Sequence, residues 1–217
     1  KIEAQKLDLS PTGFHFAFFL KGVAEICRIR AEQKEIEFTY QVLNKLPIAV
    51  HADEKRLRQV LINLLGNAIK FTDSGGVNLK VGILDQPPLS EVKKWKIRFQ
   101  IEDTGVGMTP EQLEKIFLPF EQVGAIDRKT DGAGLGLAIS RKIVHMMGSE
   151  IEVESTPGKG SKFWFDVDLL ESSDWIEPAP HTPTRNITGY EGKKLKILIV
   201  DDRRENRAII TQLLEPF

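Results

Sequence analysis

Three polar side chains, Asn63, Asn67 and Lys70, recur at i, i+4 and i+7 along a segment whose other face is aliphatic. At about 100° per residue they gather roughly 110–150° around the helix from Leu57, Leu64 and Ala68. Two amides and an ammonium in that place are either a solvated flank or one edge of a cleft. In a cleft, amide oxygens are hard neutral ligands suited to Mg²⁺, and a lysine at the same edge suits a phosphate. Asp103-Thr104-Gly105-Val106-Gly107-Met108 ends an apolar alternation abruptly. It is either an aspartate-capped glycine turn or a carboxylate set to accept a hydrogen bond from a ligand amine. In the second case Gly105 and Gly107 let a flat ring approach the backbone. Gly132-Ala133-Gly134-Leu135-Gly136-Leu137 precedes a helical pattern. Its N–H groups and the positive end of the helix dipole offer an anion site, with a flexible hinge as the alternative. The third glycine arrives one residue early for a dinucleotide fingerprint, and no Gly-Lys-Ser/Thr follows as in a Walker phosphate loop.

The elements that must position these residues are legible from periodicity. Helical spacing of Phe19, Val23, Ile26 and Cys27 predicts a helix over 17–34, and alternation of Ile36, Phe38, Tyr40 and Val42 predicts a strand. A short strand is expected at 48–50. Asp53 reads as the N-cap of a helix reaching Phe71, with Leu57, Val60, Leu61, Leu64, Leu65, Ala68 and Ile69 buried. Strands follow over 77–83 and 95–103. Thr109-Pro110-Glu111-Gln112 reads as a capping box opening a short helix to about Phe117. A further helix is expected from Gly134 to Gly148, burying Leu135, Ile139, Ile143, Val144 and Met147, with His145 as a packing residue beside them. Two more strands are expected at 151–153 and 163–169. Residues 171–194 lack periodicity and carry Pro178, Pro180 and Pro183, as a linker does. The apolar run Ile197-Leu198-Ile199-Val200 then reads as a buried parallel strand.

The composition narrows the function classes. Of 217 residues, 30 are basic and 31 acidic, giving a formal charge of −1 and a pI near 6.5. That balance provides no field for nucleic acid or anionic lipid. Cys27 is the single cysteine, so an internal disulfide is impossible and a structural zinc site is disfavoured. No apolar run approaches membrane-spanning length, and Lys1 does not begin a signal peptide, so a cytoplasmic location is expected. His15, His51, His145 and His181 are scattered, which favours core or surface roles over metal ligation.

Taken together, four segments resemble the boxes of sensor histidine kinases, in family order. Residues 59–72, from Gln59 through Asn63, Asn67 and Lys70 to Thr72, look like the N box. Residues 103–107 look like the first glycine box, 116–122 (Ile-Phe-Leu-Pro-Phe-Glu-Gln) like the F box, and 132–139 like the second glycine box. The resemblance covers about 10–170. Residues 1–9 are similar to the end of the family's dimerisation helix, and 195–217 look like the start of a receiver domain, as in a hybrid kinase.

The resemblance implies an α+β fold, a two-layer sandwich with a mixed sheet covered on one face by helices (the Bergerat-type ATPase fold). It implies ATP and Mg²⁺ as ligands. Asp103 would bind the adenine amino group with a water shared with Ser161. Asn67 would ligate Mg²⁺, and Asn63 and Lys70 would contact phosphates or their waters. Gly132, Gly134, Leu135, Gly136 and Leu137 would line the phosphates, while 118–131 would form a lid whose Arg128 or Lys129 reaches the γ-phosphate. The implied partners are the dimerisation/phosphotransfer domain and the receiver domain of a parent kinase, with neither nucleic acid nor direct membrane contact. The family's phosphoacceptor histidine precedes an acidic residue, whereas the four histidines here precede Phe16, Ala52, Met146 and Thr182. The expected reaction is therefore transfer of the ATP γ-phosphoryl to a histidine outside this chain. Two alternatives are a nucleotide-sensing pseudokinase module and a gyrase-type ATP hydrolase. The hydrolases place a glutamate base where Asn63 stands, and an amide cannot take a proton from water.

Overall fold

A computed structural model describes residues 8–85, 93–121 and 134–172. The elements in chain order are β1 (Thr12–His15), α1 (Phe16–Glu32), β2 (Glu37–Val42), β3 (Ala49–Ala52), α2 (Glu54–Phe71), β4 (Gly76–Asp85) and β5 (Lys94–Asp103). They continue with α3 (Pro110–Leu113), α4 (Gly136–Met146), β6 (Glu152–Thr156) and β7 (Gly160–Glu171). The strands form one mixed sheet in the order β1-β3-β7-β5-β4-β2, with β6 also paired to β7. Only β2 and β4 run parallel, joined through β3 and α2; the other pairs are antiparallel.

Period-two alternation divides the sheet into a covered and an open face. Val77, Leu79 and Val81 of β4, Ile97, Phe99 and Ile101 of β5, and Phe163, Phe165, Val167 and Leu169 of β7 are buried against the helices. Phe99 stacks on Phe165 at 5.1 Å between centroids and meets Phe16 of α1 edge-on at 6.1 Å. The alternate residues carry a ladder of charge on the open face. Arg98 makes a bidentate pair with Asp166 at 2.7 Å, and Lys80 pairs with Glu102 at 2.6 Å. This is the expected two-layer α+β architecture.

The helix starts follow capping chemistry. Asp53 is buried at the head of α2, where Oδ1 accepts from the Arg56 N–H at 3.0 Å and Oδ2 from the Ser10 N–H at 2.8 Å. The second bond ties the entry of the chain to the helix that carries the two asparagines. At the head of α3, Thr109 and Gln112 form the expected reciprocal box. That helix is shorter than expected: it ends at Leu113, and the chain continues in turns to Phe120. β1 was not foreseen, because Ser10-Pro11-Thr12-Gly13 reads as a breaker. It exists through antiparallel pairing with β3, Phe14 opposite Val50. His15 then caps α1, Nδ1 accepting from the Phe18 N–H at 3.2 Å. The end of the dimerisation helix (1–7), the linker beyond residue 172 and the receiver start lie outside the described residues.

Candidate functional site

The outer face of α2 is the floor of the site. Gln59, Ile62, Asn63, Gly66 and Asn67 share one side of the helix and line a cleft of about 400 Å³. Gly136, Ile139 and Ser140 of α4 form one wall, and Arg30 from the last turn of α1 contributes from another. Asn63 and Asn67 are therefore not a solvated flank. The opposite face of α2 buries the aliphatic stripe from Leu57 to Ile69, which fixes the rotation of the helix about its axis.

Asn63 is held in place by α4. Its Nδ2 donates to Ser140 Oγ at 3.0 Å, and Ser140 is almost fully buried. A Cβ at residue 136 would collide with its Oδ1, so any side chain there must displace the Asn63 amide. The wall helix α4 starts at Gly136 after Leu135, which supplies no side-chain cap. Its first-turn N–H groups thus open beside the two asparagines. Gly134 adopts φ +68°, its carbonyl accepts from the Phe120 N–H at 3.0 Å, and a Cβ there would stand 2.9 Å from the Phe120 backbone. Gly134 brings the turn at Phe120, within the F box, up against the start of α4. Leu135 and Leu137 are half-buried.

Asp103 ends β5 opposite Ser161 of β7. One carboxylate oxygen, Oδ1, accepts from the Gly105 N–H at 2.8 Å and the Ser161 N–H at 3.2 Å. Burial nevertheless dominates, and the Asp103 carboxyl is held above its ordinary value of 3.8, with the two N–H donors opposing the shift. Ser161 reaches Asp103 through its backbone, while its hydroxyl lies 3.0 Å from Ser155 Oγ. Ser155 also accepts from the Met108 N–H at 2.8 Å, clamping the loop after β5 to the β6–β7 hairpin.

The glycines of this loop admit the chain itself in the directions a Cβ would take. At Gly105 the space is filled by the Phe71 carbonyl at the end of α2, and at Gly107 (φ +64°) by the Thr156 carbonyl. The Val106 N–H donates to Phe71 O at 3.2 Å. The Asp103 loop is thereby stitched to the C-terminal end of the helix whose middle carries Asn67 and Asn63.

Lys70 is not among the residues lining the cleft; its Nζ stands 5.4 Å from the Phe71 ring centroid. Gly132, Arg128 and Lys129 lie outside the described residues, as does most of the lid. His145 is corrected: it is exposed, with Nδ1 2.9 Å from Glu150 Oε1, because its position on α4 falls just outside the stripe formed by Ser140, Ile143 and Val144. Sequence reasoning missed Ser140, Ser155 and Arg30. Ser140 carried a signal, a small hydroxyl one turn after Gly136 on an otherwise apolar face. Arg30 carried none, since α1 and α2 meet only in the fold.

No group of three or more His, Cys, Asp or Glu capable of holding a metal exists among the described residues. A cation in the cleft would draw on the amide oxygens of Asn63 and Asn67, completed by water and ligand oxygens. That donor set fits Mg²⁺, which keeps several waters and pairs with phosphates.

The comparisons agree with this geometry. Residues 52–171 match the family described as histidine kinase-, DNA gyrase B-, and HSP90-like ATPase. The sensor histidine kinase GacS of Pseudomonas protegens is 36% identical over 184 residues, covering 84% of this chain and 20% of that protein. Full-length ShkA, solved in complex with AMPPNP, superposes with a TM-score of 0.62 at 38% identity, covering 77% of this chain and 32% of that one. The nucleotide-free catalytic domain of the histidine kinase ThkA gives 0.55 at 30% identity, over 73% of this chain and 95% of that one. This chain spans a fifth or less of the first curated relatives it matches. Matched over more than half its length by the family's own pattern, the chain belongs to the histidine kinase-, DNA gyrase B- and HSP90-like ATPases.

Proposed function

We propose that residues 10–170 form the ATP-binding catalytic domain of a hybrid sensor histidine kinase and deliver the ATP γ-phosphoryl to a histidine outside this chain. The observation that carries this reading is the cleft itself: Asn63, Asn67 and the open start of α4 face one space with no carboxylate among the described residues that line it. Asp103, anchored where α2 ends, accepts the adenine amine. The N–H groups of Gly136 and Leu137 receive phosphate oxygens. Asn67 holds Mg²⁺, with Asn63 and Lys70 on phosphates or their waters. The metal, when bound, neutralises charge on the phosphates. The chain's own residues position the nucleotide, which is most of what phosphoryl transfer requires. Asn63 is an amide donating to Ser140, so it has no proton-accepting role toward water, and the hydrolase alternative lacks its base.

In the parent, residues 1–9 close the dimerisation/phosphotransfer helix, 171–194 form a linker and 195–217 begin a receiver domain; these domains are the partners. No helix among the described residues is long and apolar enough to cross a membrane, and we place the domain in the cytoplasm. The test is phosphotransfer. This chain, mixed with a dimerisation domain from the parent and labelled Mg²⁺–ATP, is expected to give acid-labile phosphate on that domain. Tight nucleotide binding with no transfer would instead favour the nucleotide-sensing reading.

A further inference from the structure

The cleft has one charged wall that neither the motif nor the proposed nucleotide contacts account for. Arg30 stands in the last turn of α1 and lines the cleft together with Asn63 and Asn67. It packs over Gly66, the residue of α2 between those two asparagines on the outer face: a Cβ there would stand 3.7 Å from Arg30 Nη1, in ordinary contact, so the guanidinium lies against the helix surface. None of the ion pairs among the described residues engages Arg30, whereas its neighbour Arg28 is paired with Glu25 at 3.2 Å. Among the described residues no carboxylate lines the cleft, and the start of α4, without a side-chain cap, faces the same space. One exposed cation, two amides and a helix N-terminus, with no carboxylate among the described lining residues, constitute a receptor for a strongly charged anion.

The direction of the ligand decides which part of it Arg30 meets. The adenine end is fixed by Asp103, whose loop is bonded to Phe71 at the C-terminal end of α2. Gly66 lies five residues back, about 7.5 Å along the axis, and the cleft continues past Asn63 to Gln59. A nucleotide anchored at Asp103 therefore runs its phosphates toward the N-terminal half of α2. We propose that Arg30 contacts the terminal phosphate of bound ATP and makes the site prefer ATP to ADP. This rests on the nucleotide reading of the site and adds a contact from α1, outside the boxes. A guanidinium suits this task because its planar fork matches phosphate oxygens two at a time.

The competing role for a basic residue in a last helical turn is to complement the α1 dipole. That role would affect stability and leave nucleotide discrimination alone. The test is calorimetry on the 217-residue chain with a non-hydrolysable ATP analogue and with ADP, both with Mg²⁺. Arg30→Ala is expected to weaken the ATP analogue about five- to tenfold and ADP less than about twofold. Arg30→Lys should fall between, and the loss should shrink as salt rises, since the group is exposed. Arg28→Ala serves as a control and should bind both ligands like the parent chain. Equal effects on ATP analogue and ADP, no effect on either, or the same loss in Arg28→Ala would overturn the proposal while leaving the nucleotide site intact. Failure of the unmodified chain to bind either nucleotide would overturn the underlying reading and this contact with it.

Discussion

Asn63 and Gly136, on helices joined by more than sixty residues of chain, share one volume: the amide oxygen of Asn63 stands where a Cβ of residue 136 would be. The glycine at the head of α4 thus shapes the cleft by what it lacks. Gly136→Ala must push the Asn63 amide aside and break its bond to Ser140. Gly→Ala at a helical position is itself favourable by up to about 1 kcal/mol, which offsets the lost hydrogen bond of about the same size. The expected result is a nearly unchanged melting temperature with clearly weakened nucleotide binding. A melting temperature that collapses together with binding would mean that Asn63 is a structural link and not a cleft residue.

Asp103 supplies a pH signature. Burial raises its carboxyl above 3.8, so the native chain holds this proton at pH values where the unfolded chain has lost it. Stability from this group is therefore highest below the unfolded value, falls as pH rises through the window up to the folded value, and stays low at neutral pH. Asp103→Asn removes that charge and is expected to melt no lower than the parent near pH 7. Its adenine affinity should nevertheless drop, by roughly 1.5–3 kcal/mol for a charge-assisted hydrogen bond. Acidification should weaken adenine nucleotides in the parent as Asp103 protonates, so the ratio of parent to variant affinity should close toward one. A ratio independent of pH would exclude Asp103 as the acceptor.

Lys34 holds the far end of the same helix. From the turn after α1 its ammonium donates to the carbonyls of Ile69 (2.9 Å) and Lys70 (2.6 Å) and pairs with Asp73 at 3.5 Å. These are orphan carbonyls of a helix C-terminus, and a cation is favoured there by the dipole as well. Lys34→Met keeps the aliphatic stem and deletes the donors. We expect a loss of about 1–2 kcal/mol in a denaturant titration, discounted for partial exposure. A change below a few tenths would show that water replaces the ammonium without cost.

Cys27 reports on opening of the α1 face. It has no solvent exposure, and burial pushes its thiol up to about 11, with Arg30 opposing. Only the thiolate reacts with alkylating reagents. Modification at pH 8 is expected to be slow and to accelerate with denaturant in step with global unfolding. Fast labelling of the native chain would place the α1 core contacts in doubt.

Much of this was legible beforehand, for a physical reason that differs between elements. α2 announced its cap, its stripe and its polar edge because a helix writes all three into one continuous segment at a fixed angle. β4, β5 and β7 announced themselves by alternation, since one face of the sheet is wet. β1 was hidden because Pro11 just before it and Gly13 within it signal a break by local rules that pairing with β3 overrides. The width of the cleft was equally hidden, since Ser140, Gly136 and Arg30 reach Asn63 and Gly66 only through packing of three helices. The roles of Gly105 and Gly107 were legible as a need for close approach, but not as an approach of chain to chain.

Charge at Asn67 gives the sharpest test of the metal assignment. No described residue on the walls of the cleft is a carboxylate, so Asn67→Asp introduces a negative charge among amides and N–H groups. A carboxylate remains an oxygen ligand for Mg²⁺, and by charge a better one than an amide. Toward a polyphosphate it acts in the opposite sense, because two like charges at close range in a partly desolvated site repel by an amount that water does not fully screen. The two effects separate by titrating ADP with and without the metal. Without Mg²⁺, Asn67→Asp should bind ADP about tenfold or more weakly than the parent, the range set by a direct charge contact. With saturating Mg²⁺ the cation's charge would offset the repulsion between the new carboxylate and the phosphates, and most of that loss should be recovered. A loss of equal size in both conditions would show that Asn67 faces the phosphates but not the metal. No loss in either would remove Asn67 from the site altogether.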